Sequence, residues 1–423
     1  MKRRISRPVG CLLLVILGGA CAVVLSGTGG ETPDAAPSPA RRTPLTASPR
    51  PRPGRRVSAV DKWTLWTGGA HLRGANVWQR RVYPELDGTQ FLGPGPVGPP
   101  YTQADFDALA AMGANYVNIS HPGLFAEEPP YALDADIQAS LDNLLAMAAQ
   151  ADLFAVITFR TGPGRSEFWA FWGEDTVSDP QNGWFDPSYY NNRVWGDQAA
   201  QDAWVAMWRY TAERYRDNPV VASYDLMCEP NSNEVGSHPL DDLLDIWEPD
   251  EFYAKYGGTL YDWNQLYPRI TAAIRQVDAE TPILIGGNGY SGVEWLPYLE
   301  PTGDPRTVYA VHLYAPHLYT HQQRDATKCT YPGFCDLDWG GEYDDPLDRA
   351  WLEGMLSTVD DFVATYSVPV AVNEFGAVRW TRGVAEFIDD EMELFEGRGM
   401  NHALWVWDPA WRPWNEEGNA FNF

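Results

Sequence analysis

The feature that most constrains the fold of this 423-residue chain is a repeated alternation of β-rich runs with amphipathic stretches. Stretches such as DIQASLDNLLAMAAQ and AAQDAWVAMWRYTAERY repeat apolar residues at the spacing of a helix face. Strands that alternate with helices in this way predict parallel strands joined by crossovers. Eight runs are predicted as strands, at residues 72–78, 114–120, 154–160, 220–229, 282–287, 307–314, 369–375 and 402–408. The count of eight predicts an α/β fold of the (β/α)8 TIM-barrel class, with long loops at its C-terminal face.

An open doubly wound sheet is the alternative arrangement of alternating strands and helices. Such a sheet normally has a glycine-rich phosphate-binding turn after its first strand. The residues at that position read GANVWQR, which is not such a turn. The barrel is therefore favoured, and functional residues are expected at the carboxyl ends of its strands.

The first 58 residues have the composition of an export segment and a linker. A basic start, the apolar run CLLLVILGG and a small-x-small cleavage pattern around Cys21 predict a signal peptide within 1–27. An uncleaved membrane anchor and a lipid-modified Cys21 are the alternatives. Residues 28–58 are rich in Pro, Ser, Thr and Arg and predict a disordered tether. We therefore expect a folded domain at 59–423 that is secreted or held at the cell surface.

The charge of the chain narrows the class of molecule that it can bind. The chain carries a formal charge of −26, and residues 1–58 hold ten Lys/Arg against two Asp/Glu, so the remainder carries −34. Nucleic acid is a disfavoured partner because phosphate attraction needs clustered Lys and Arg. An uncharged ligand fits better, and we expect a monomer.

Cys329 and Cys335 close the short loop KCTYPGFC and predict a disulfide, with two free thiols as the alternative. Cys228 is left unpaired, which suits a buried position.

Two glutamates stand at the ends of predicted strands four and seven. Glu229 ends the run VVASYDLMCE, and Glu374 lies near the end of PVAVNEF. Two carboxylates held across one pocket are what glycosidic bond cleavage needs, since one must be protonated and the other ionised. A single glutamate at a strand end is more often part of a salt bridge, but a pair on strands four and seven favours catalysis.

These segments resemble a known family. The stretch YRDNPVVASYDLMCEPN is similar to the strand-four segment of the cellulase-like glycoside hydrolases, family 5 of the retaining (β/α)8 glycosidase clan. VHLYAP, VNEFGA and ALWVWD resemble that family's strand-six His-x-Tyr, strand-seven nucleophile and strand-eight tryptophan, and LRGANVWQ resembles its opening strand. The segments follow one another in the family's order across about residues 70–410.

The resemblance implies a hydrolase that cleaves β-linked glycosidic bonds by double displacement. Glu229 would be the acid/base and Glu374 the nucleophile, with no metal or organic cofactor. A β-glucan or β-mannan, as polysaccharide or oligosaccharide, is the implied substrate. A catalytically weakened carbohydrate-binding relative and a transglycosylase remain as alternatives.

Further residues are predicted to bind the sugar. His312 and Tyr314 are two apart on one strand and would orient the carboxylates and the sugar. Trp405 and Trp407 are also two apart, and Trp407, nearer the predicted strand end, is favoured as the floor under the reacting sugar. Aromatic faces stack on sugar rings, and the remaining candidates by position are Trp78, His121 and Trp172, the last in a long aromatic insertion at 166–195.

The sequence departs from the family at three places. Cys228 stands where the family has the asparagine that contacts the sugar 2-hydroxyl, and a thiol is a weaker hydrogen-bonding partner. Asn118 stands where the family has an arginine on strand two, and by position Asn118, Cys228 and Arg160 are also predicted to bind the substrate. We expect Arg160, at the end of strand three, to take over that arginine's contact with the Glu374 carboxylate, because a guanidinium can bridge a carboxylate with two bonds.

Overall fold

Eight parallel strands close into a barrel in the computed structural model, which describes residues 61–88, 90–167, 191–235, 244–324, 327–411 and Phe421. The strands are β1 (Arg73–Trp78), β2 (Tyr116–Pro122), β3 (Phe154–Thr161), β4 (Val221–Asp225), β5 (Ile283–Gly286), β6 (Thr307–Leu313), β7 (Val370–Phe375) and β8 (His402–Leu404). Each strand pairs with the next along the chain, and β8 pairs with β1. The predicted (β/α)8 barrel is thus confirmed.

Helices surround the barrel and connect most of its strands. They are α1 (Pro84–Asp87), α2 (Gln103–Ala111), α3 (Ala135–Gln150), α4 (Gln198–Tyr215), α5 (Pro249–Tyr256), α6 (Trp263–Arg275), α7 (His317–Thr320), α8 (Arg349–Tyr366) and α9 (Val384–Gly397). Asp134, Asp197, Asp262 and Asp348 cap α3, α4, α6 and α8, because each carboxylate accepts a hydrogen bond from a backbone N–H of the first turn. A 3-10 helix, Val293–Tyr298, connects β5 to β6.

The apolar core has two layers. The outer layer lies between the strands and the helices and contains large side chains such as Trp204 and Trp208. The inner layer fills the barrel with small side chains such as Ala222 and Ala310, and Trp66 packs with them and donates its indole N–H to the carbonyl of Ala222. A barrel filled in this way is a solid core, which leaves the carboxyl ends of the strands for chemistry.

Two predicted strands end earlier than expected. β4 ends at Asp225 instead of Glu229, and β8 ends at Leu404 instead of 408. Glu229 has φ +52°, in the left-handed region that a strand does not use, and it precedes a proline. Glu229 therefore lies in a bend beyond the strand.

The loops at the carboxyl ends of three strands contain small antiparallel hairpins. They pair Arg80–Arg81 with Val97–Gly98, Glu234–Val235 with Leu244–Asp245, and Gly333–Cys335 with Asp345–Leu347. The first strand of the third hairpin ends at Cys335, which forms the predicted disulfide with Cys329, and Cys228 is free and buried.

Within the described ranges, every helix is too short or too polar to cross a bilayer. The predicted signal segment and linker, residues 1–58, lie outside those ranges, as does Trp172.

Candidate active site

Two carboxylates meet at the C-terminal end of the barrel with a histidine beside both. Glu374 is part of β7, and Glu229 lies four residues beyond the end of β4. One carboxylate oxygen from each glutamate and a ring nitrogen of His312 all lie within 4.8 Å of one another. The pairing predicted from strands four and seven is therefore present as a compact cluster.

Glu374 is the more enclosed carboxylate, with a side chain 4% exposed. Tyr314 donates its hydroxyl to Oε2 at 3.2 Å, and the thiol of Cys228 donates to Oε1 at 3.4 Å. Burial raises the pKa of Glu374 and the charge of Glu229 adds to the rise, while His312, Arg160 and the Cys228 thiol oppose it. The ionised form of Glu374 therefore depends on these surrounding groups.

His312 lies between the two carboxylates. Its Nδ1–H donates to Oε1 of Glu229 at 2.9 Å and lies 3.5 Å from Oε2 of Glu374. Burial alone would lower the pKa of His312, but the charge of Glu374 and the hydrogen bond and charge of Glu229 outweigh it and raise this pKa to about 9. The imidazole is thus charged at neutral pH, so it can stabilise negative charge on either carboxylate.

The bend that carries Glu229 is held by Arg165, which the sequence analysis did not identify. The buried guanidinium donates to the carbonyls of Arg160, Cys228 and Glu229 at 2.6–2.8 Å and to Oδ1 of Asn231 at 3.3 Å. These bonds fix the backbone on both sides of the Glu229 Cα. The only signal in the sequence is an arginine in the turn GPGR after strand three, which does not reveal its target.

A buried polar network lies beneath the carboxylates, inside the barrel. Asn118 donates to Oδ1 of Asn76 at 2.7 Å and accepts from Thr158, which also donates to Asp225 at 3.2 Å. Asn373, the neighbour of Glu374, donates to the same Asp225 oxygen at 2.7 Å. Burial raises the pKa of Asp225 to about 7, with the charge of His312 opposing the rise and that of Glu374 adding to it.

This network corrects the prediction for Asn118. The side chain is fully buried and its amide is used by Asn76 and by the carbonyl of Asn373, so it supports β7 from below and does not face a sugar. Asp225 and Asn373 also support the site. They were not predicted, because functional residues were expected at the carboxyl ends of the predicted strands and both residues lie before those ends.

The predicted replacement of the missing arginine by Arg160 is also corrected. Arg160 forms its two-pronged ion pair with Glu167, at 3.0 and 3.4 Å, and donates to Ser120 at 3.1 Å. Glu167 lies seven residues further along the chain and is itself buried, so its carboxylate pairs with the Arg160 guanidinium. The charge of Arg160 still lowers the pKa of Glu374 through space.

The aromatic candidates separate into two groups. Trp78 and Trp405 belong to one apolar cluster at the mouth of the barrel, and the Arg160 guanidinium lies 5.8 and 5.6 Å from their ring centres. Trp407, the favoured sugar platform, packs against the outer core and donates its indole N–H to the carbonyl of Asp105 in α2. β8 ends at Leu404, so the alternation of a strand does not continue to residue 407, and a role for Trp407 as a sugar platform stays a prediction.

His121 is not a sugar ligand in this structure. Its ring is fully buried and contacts the carbonyl of Pro122 at 2.8 Å and the hydroxyl of Ser140 in α3 at 3.3 Å. Burial lowers its pKa to about 4, so it is neutral. The residue faces the helical layer instead of the barrel mouth.

The arrangement defines the class of protein. A pair of carboxyl groups at the C-terminal end of a TIM barrel is typical of glycoside hydrolases. The family model for cellulase (glycosyl hydrolase family 5) matches residues 81–410, which is most of the chain. The chain belongs to glycosyl hydrolase family 5, a family of O-glycosyl hydrolases.

Individual relatives are distant. Endoglucanase C of Acetivibrio thermocellus is 22% identical over 245 residues, 57% of this chain and 59% of that protein. A beta-xylosidase of Phanerodontia chrysosporium is 23% identical over 283 residues, 61% of this chain and 50% of that protein. The chain thus spans between half and three fifths of these curated relatives.

A solved structure of Thermotoga maritima Cel5A in complex with mannotriose shares the fold. It has a TM-score of 0.54 and 18% identity, and the match covers 83% of this chain and 91% of that one.

Proposed function

We propose that the protein hydrolyses β-linked glycosidic bonds of a glucan or mannan with retention of anomeric configuration. Glu374 is the nucleophile and Glu229 the acid/base. The observation that carries the proposal is the approach of the two carboxylates to within 4.8 Å around His312. Retaining enzymes place their carboxyl groups about 5–5.5 Å apart, whereas inverting enzymes need about 6.5–9.5 Å to admit a water molecule.

The assignment of roles follows from the two environments. Glu374 accepts hydrogen bonds from Tyr314 and Cys228, and these stabilise its ionised form as an attacking group. Glu229 has a more exposed side chain, 14% against 4%, so it has better access to a leaving group and to water.

The reaction has two balanced steps. An oxygen of Glu374 attacks the anomeric carbon while Glu229 gives its proton to the departing glycosidic oxygen, which breaks the bond and leaves a glycosyl ester on Glu374. Glu229, now ionised, then takes a proton from a water molecule that attacks the same carbon and releases Glu374. His312 stays protonated and supports whichever carboxylate is negative.

Glucan and mannan are the proposed substrates because relatives include an endoglucanase and a protein solved with mannotriose. These sugars differ at the 2-hydroxyl, the group that the family's asparagine reads, and Cys228 stands in the place of that asparagine here. A thiol is a weak hydrogen-bonding partner for either epimer, so Cys228 favours tolerance of both sugars.

The test is hydrolysis of a panel of β-linked glucans, mannans and aryl glycosides, with Glu374→Ala and Glu229→Ala beside the wild type. The proposal expects a β-linked glucan, a β-linked mannan or both to be cleaved, and both variants to lose several orders of magnitude of activity. A wild type that binds a member of the panel and cleaves none would support the alternative, a weakened carbohydrate-binding relative. Products longer than the substrate would support transglycosylation.

We also propose that residues 1–27 direct export, as their composition supports. Mass spectrometry of the exported protein's N-terminus tests this. A mature terminus near residue 22 is expected, and retention of the intact chain in the cytosol would contradict it.

A further inference from the structure

A second cluster of carboxylates lies in the hairpin loop between β6 and α8, separate from the active site. The segment 336–345 reads DLDWGGEYDD and contains five acidic residues. Asp336, Asp338 and Asp345 each place one carboxylate oxygen within 4.8 Å of the other two. Among the described residues, none of these three carboxylates forms an ion pair with a lysine or arginine, so their mutual repulsion is not balanced by such a partner.

The burial of Asp336 points to a ligand independently of the clustering. The residue is 6% exposed, and its Oδ2 accepts a hydrogen bond from the backbone N–H of Gly341 at 2.9 Å. Its Oδ1 is shielded from solvent and has no hydrogen-bond partner among the described residues. A buried carboxylate oxygen without a donor is costly, and a bound cation would satisfy it.

The loop is built so that oxygens remain available. Oδ2 of Asp345 accepts from the backbone N–H groups of Leu337 and Asp338, at 2.8 and 3.2 Å, and Oδ1 of Asp338 accepts from Gly340 at 2.9 Å. These bonds fold the loop and use one oxygen of each side chain. The other oxygen of each carboxylate accepts no hydrogen bond from a described residue and remains available to a ligand.

The donor set selects the kind of ion. All donors are carboxylate oxygens, without histidine or cysteine, which suits a hard cation. Two oxygens that bind one Ca²⁺ at about 2.3–2.6 Å can be at most about 5 Å apart, and the 4.8 Å limit of this cluster meets that condition. Mg²⁺ demands shorter, strictly octahedral bonds and keeps several waters, so a partly exposed site of clustered carboxylates favours the larger ion.

We propose that Asp336, Asp338 and Asp345 bind one Ca²⁺ ion, with water and backbone carbonyls of the loop completing its coordination. The disulfide partner Cys335 immediately precedes Asp336, and Asp345 is its paired residue in the hairpin. The disulfide and the ion would therefore lie side by side where the two strands enter the loop, and the ion would hold the loop beyond the covalent link. Binding to the folded state alone stabilises that state by mass action.

The test measures Ca²⁺ directly and does not depend on the proposed glycosidase activity. Calcium-free full-length protein is titrated with Ca²⁺ by calorimetry, and its thermal unfolding is compared with Ca²⁺ and with EDTA. Terbium(III) luminescence gives a second readout, because Trp339 and Tyr343 lie within the loop and can sensitise it. One site per chain is expected, with a dissociation constant of about 10⁻⁵–10⁻³ M, and a higher melting temperature in Ca²⁺.

Asp338→Asn is the diagnostic variant because Asp338 is exposed and its amide can still accept the Gly340 N–H. Glu342→Gln is the matched control, since it removes the same charge from the same loop outside the cluster. Asp338→Asn should weaken Ca²⁺ binding by roughly tenfold or more, and the control by no more than about threefold. The proposal is overturned if Ca²⁺ fails to bind up to about 10 mM, if Asp338→Asn binds normally, or if both variants lose equally.

Discussion

Glu374 and Glu229 reach the same pocket from two kinds of backbone. Glu374 lies within β7, where the strand and the polar network beneath it fix its position. Glu229 lies in a bend with φ +52°, where the side chain of Arg165 holds the backbone carbonyls. The proposed nucleophile thus belongs to the barrel and accepts hydrogen bonds from Tyr314 and Cys228, whereas the proposed acid/base lies on a loop whose carbonyls on either side of it are held by Arg165.

This difference separates the chemical tasks. A nucleophile must meet the anomeric carbon at a fixed distance, and burial in the strand provides that. An acid/base must exchange protons with a leaving group and with water, which a more exposed position allows. Variants near Glu229 are expected to change the dependence of the rate on the leaving group, and variants near Glu374 are expected to change its dependence on pH.

The largest effect is expected from the carboxylates themselves. Glu374→Ala should lower kcat/KM by about 10⁵-fold on every substrate, because no covalent intermediate can form. Glu229→Ala should lose as much on polysaccharide but far less on an aryl glycoside with a good leaving group, which needs no proton. Kinetics with added azide check this: Glu229→Ala should yield the β-glycosyl azide and Glu374→Ala the α-glycosyl azide. The opposite anomers would reverse the assigned roles.

Arg165→Met tests whether the Arg165 guanidinium positions Glu229. Loss of the guanidinium frees the carbonyls beside Glu229, so we expect kcat on polysaccharide to fall by about 10²-fold. Activity on the activated aryl glycoside should fall less, as for Glu229→Ala. Arg214→Met, which removes an exposed arginine paired with Asp142, is the control and should leave both activities unchanged. An equal loss on both substrates would show that Arg165 serves only general stability.

Tyr314→Phe tests, through the pH dependence of kcat/KM, whether the Tyr314 hydroxyl stabilises ionised Glu374. The hydroxyl donates to Glu374, and its removal destabilises the ionised carboxylate and raises the pKa of Glu374 further. Since the ionised form attacks, activity is lost as pH falls through this pKa, and the acid limb of kcat/KM should move to higher pH. The rate at the optimum should fall by about 10-fold.

Tyr319→Phe is the control for this variant, because Tyr319 is also buried but donates to the carbonyl of Arg382. Its acid limb should match the wild type. An unshifted limb in Tyr314→Phe would mean that the hydroxyl does not act on the nucleophile.

The smallest effect is expected at Cys228. Its thiol donates a weak bond to Glu374 at 3.4 Å, so Cys228→Ser should change kcat/KM by less than about fivefold. Burial raises the pKa of the thiol, with the charge of Glu374 adding to the rise, so Cys228 stays protonated and should resist alkylation in the folded enzyme. Rapid alkylation at pH 8, followed by mass spectrometry of the modified peptide, would contradict this.

The barrel and the carboxylate pair could be predicted because both leave local marks in the sequence. Strand and helix periods are short-range patterns, and Glu229-Pro230 and Glu374 stand at positions that a barrel brings together. The partners of Arg160 and the orientation of Trp407 could not be predicted. The first depends on Glu167 competing for the guanidinium, and the second on a strand that ends three residues before it. Arg165 was missed because a side chain that bonds backbone carbonyls leaves no pattern of partners in the sequence.

The most direct test of the account is to trap the covalent intermediate. The full-length enzyme is incubated with 2-deoxy-2-fluoro-β-glucosyl and -mannosyl compounds that carry a dinitrophenolate leaving group, and the labelled peptide is sequenced by mass spectrometry. The account predicts inactivation with one sugar attached to Glu374, slower labelling in Tyr314→Phe, and none in Glu374→Ala. A label on Glu229 or on another residue of an enzyme that cleaves the matching unfluorinated glycoside would contradict it.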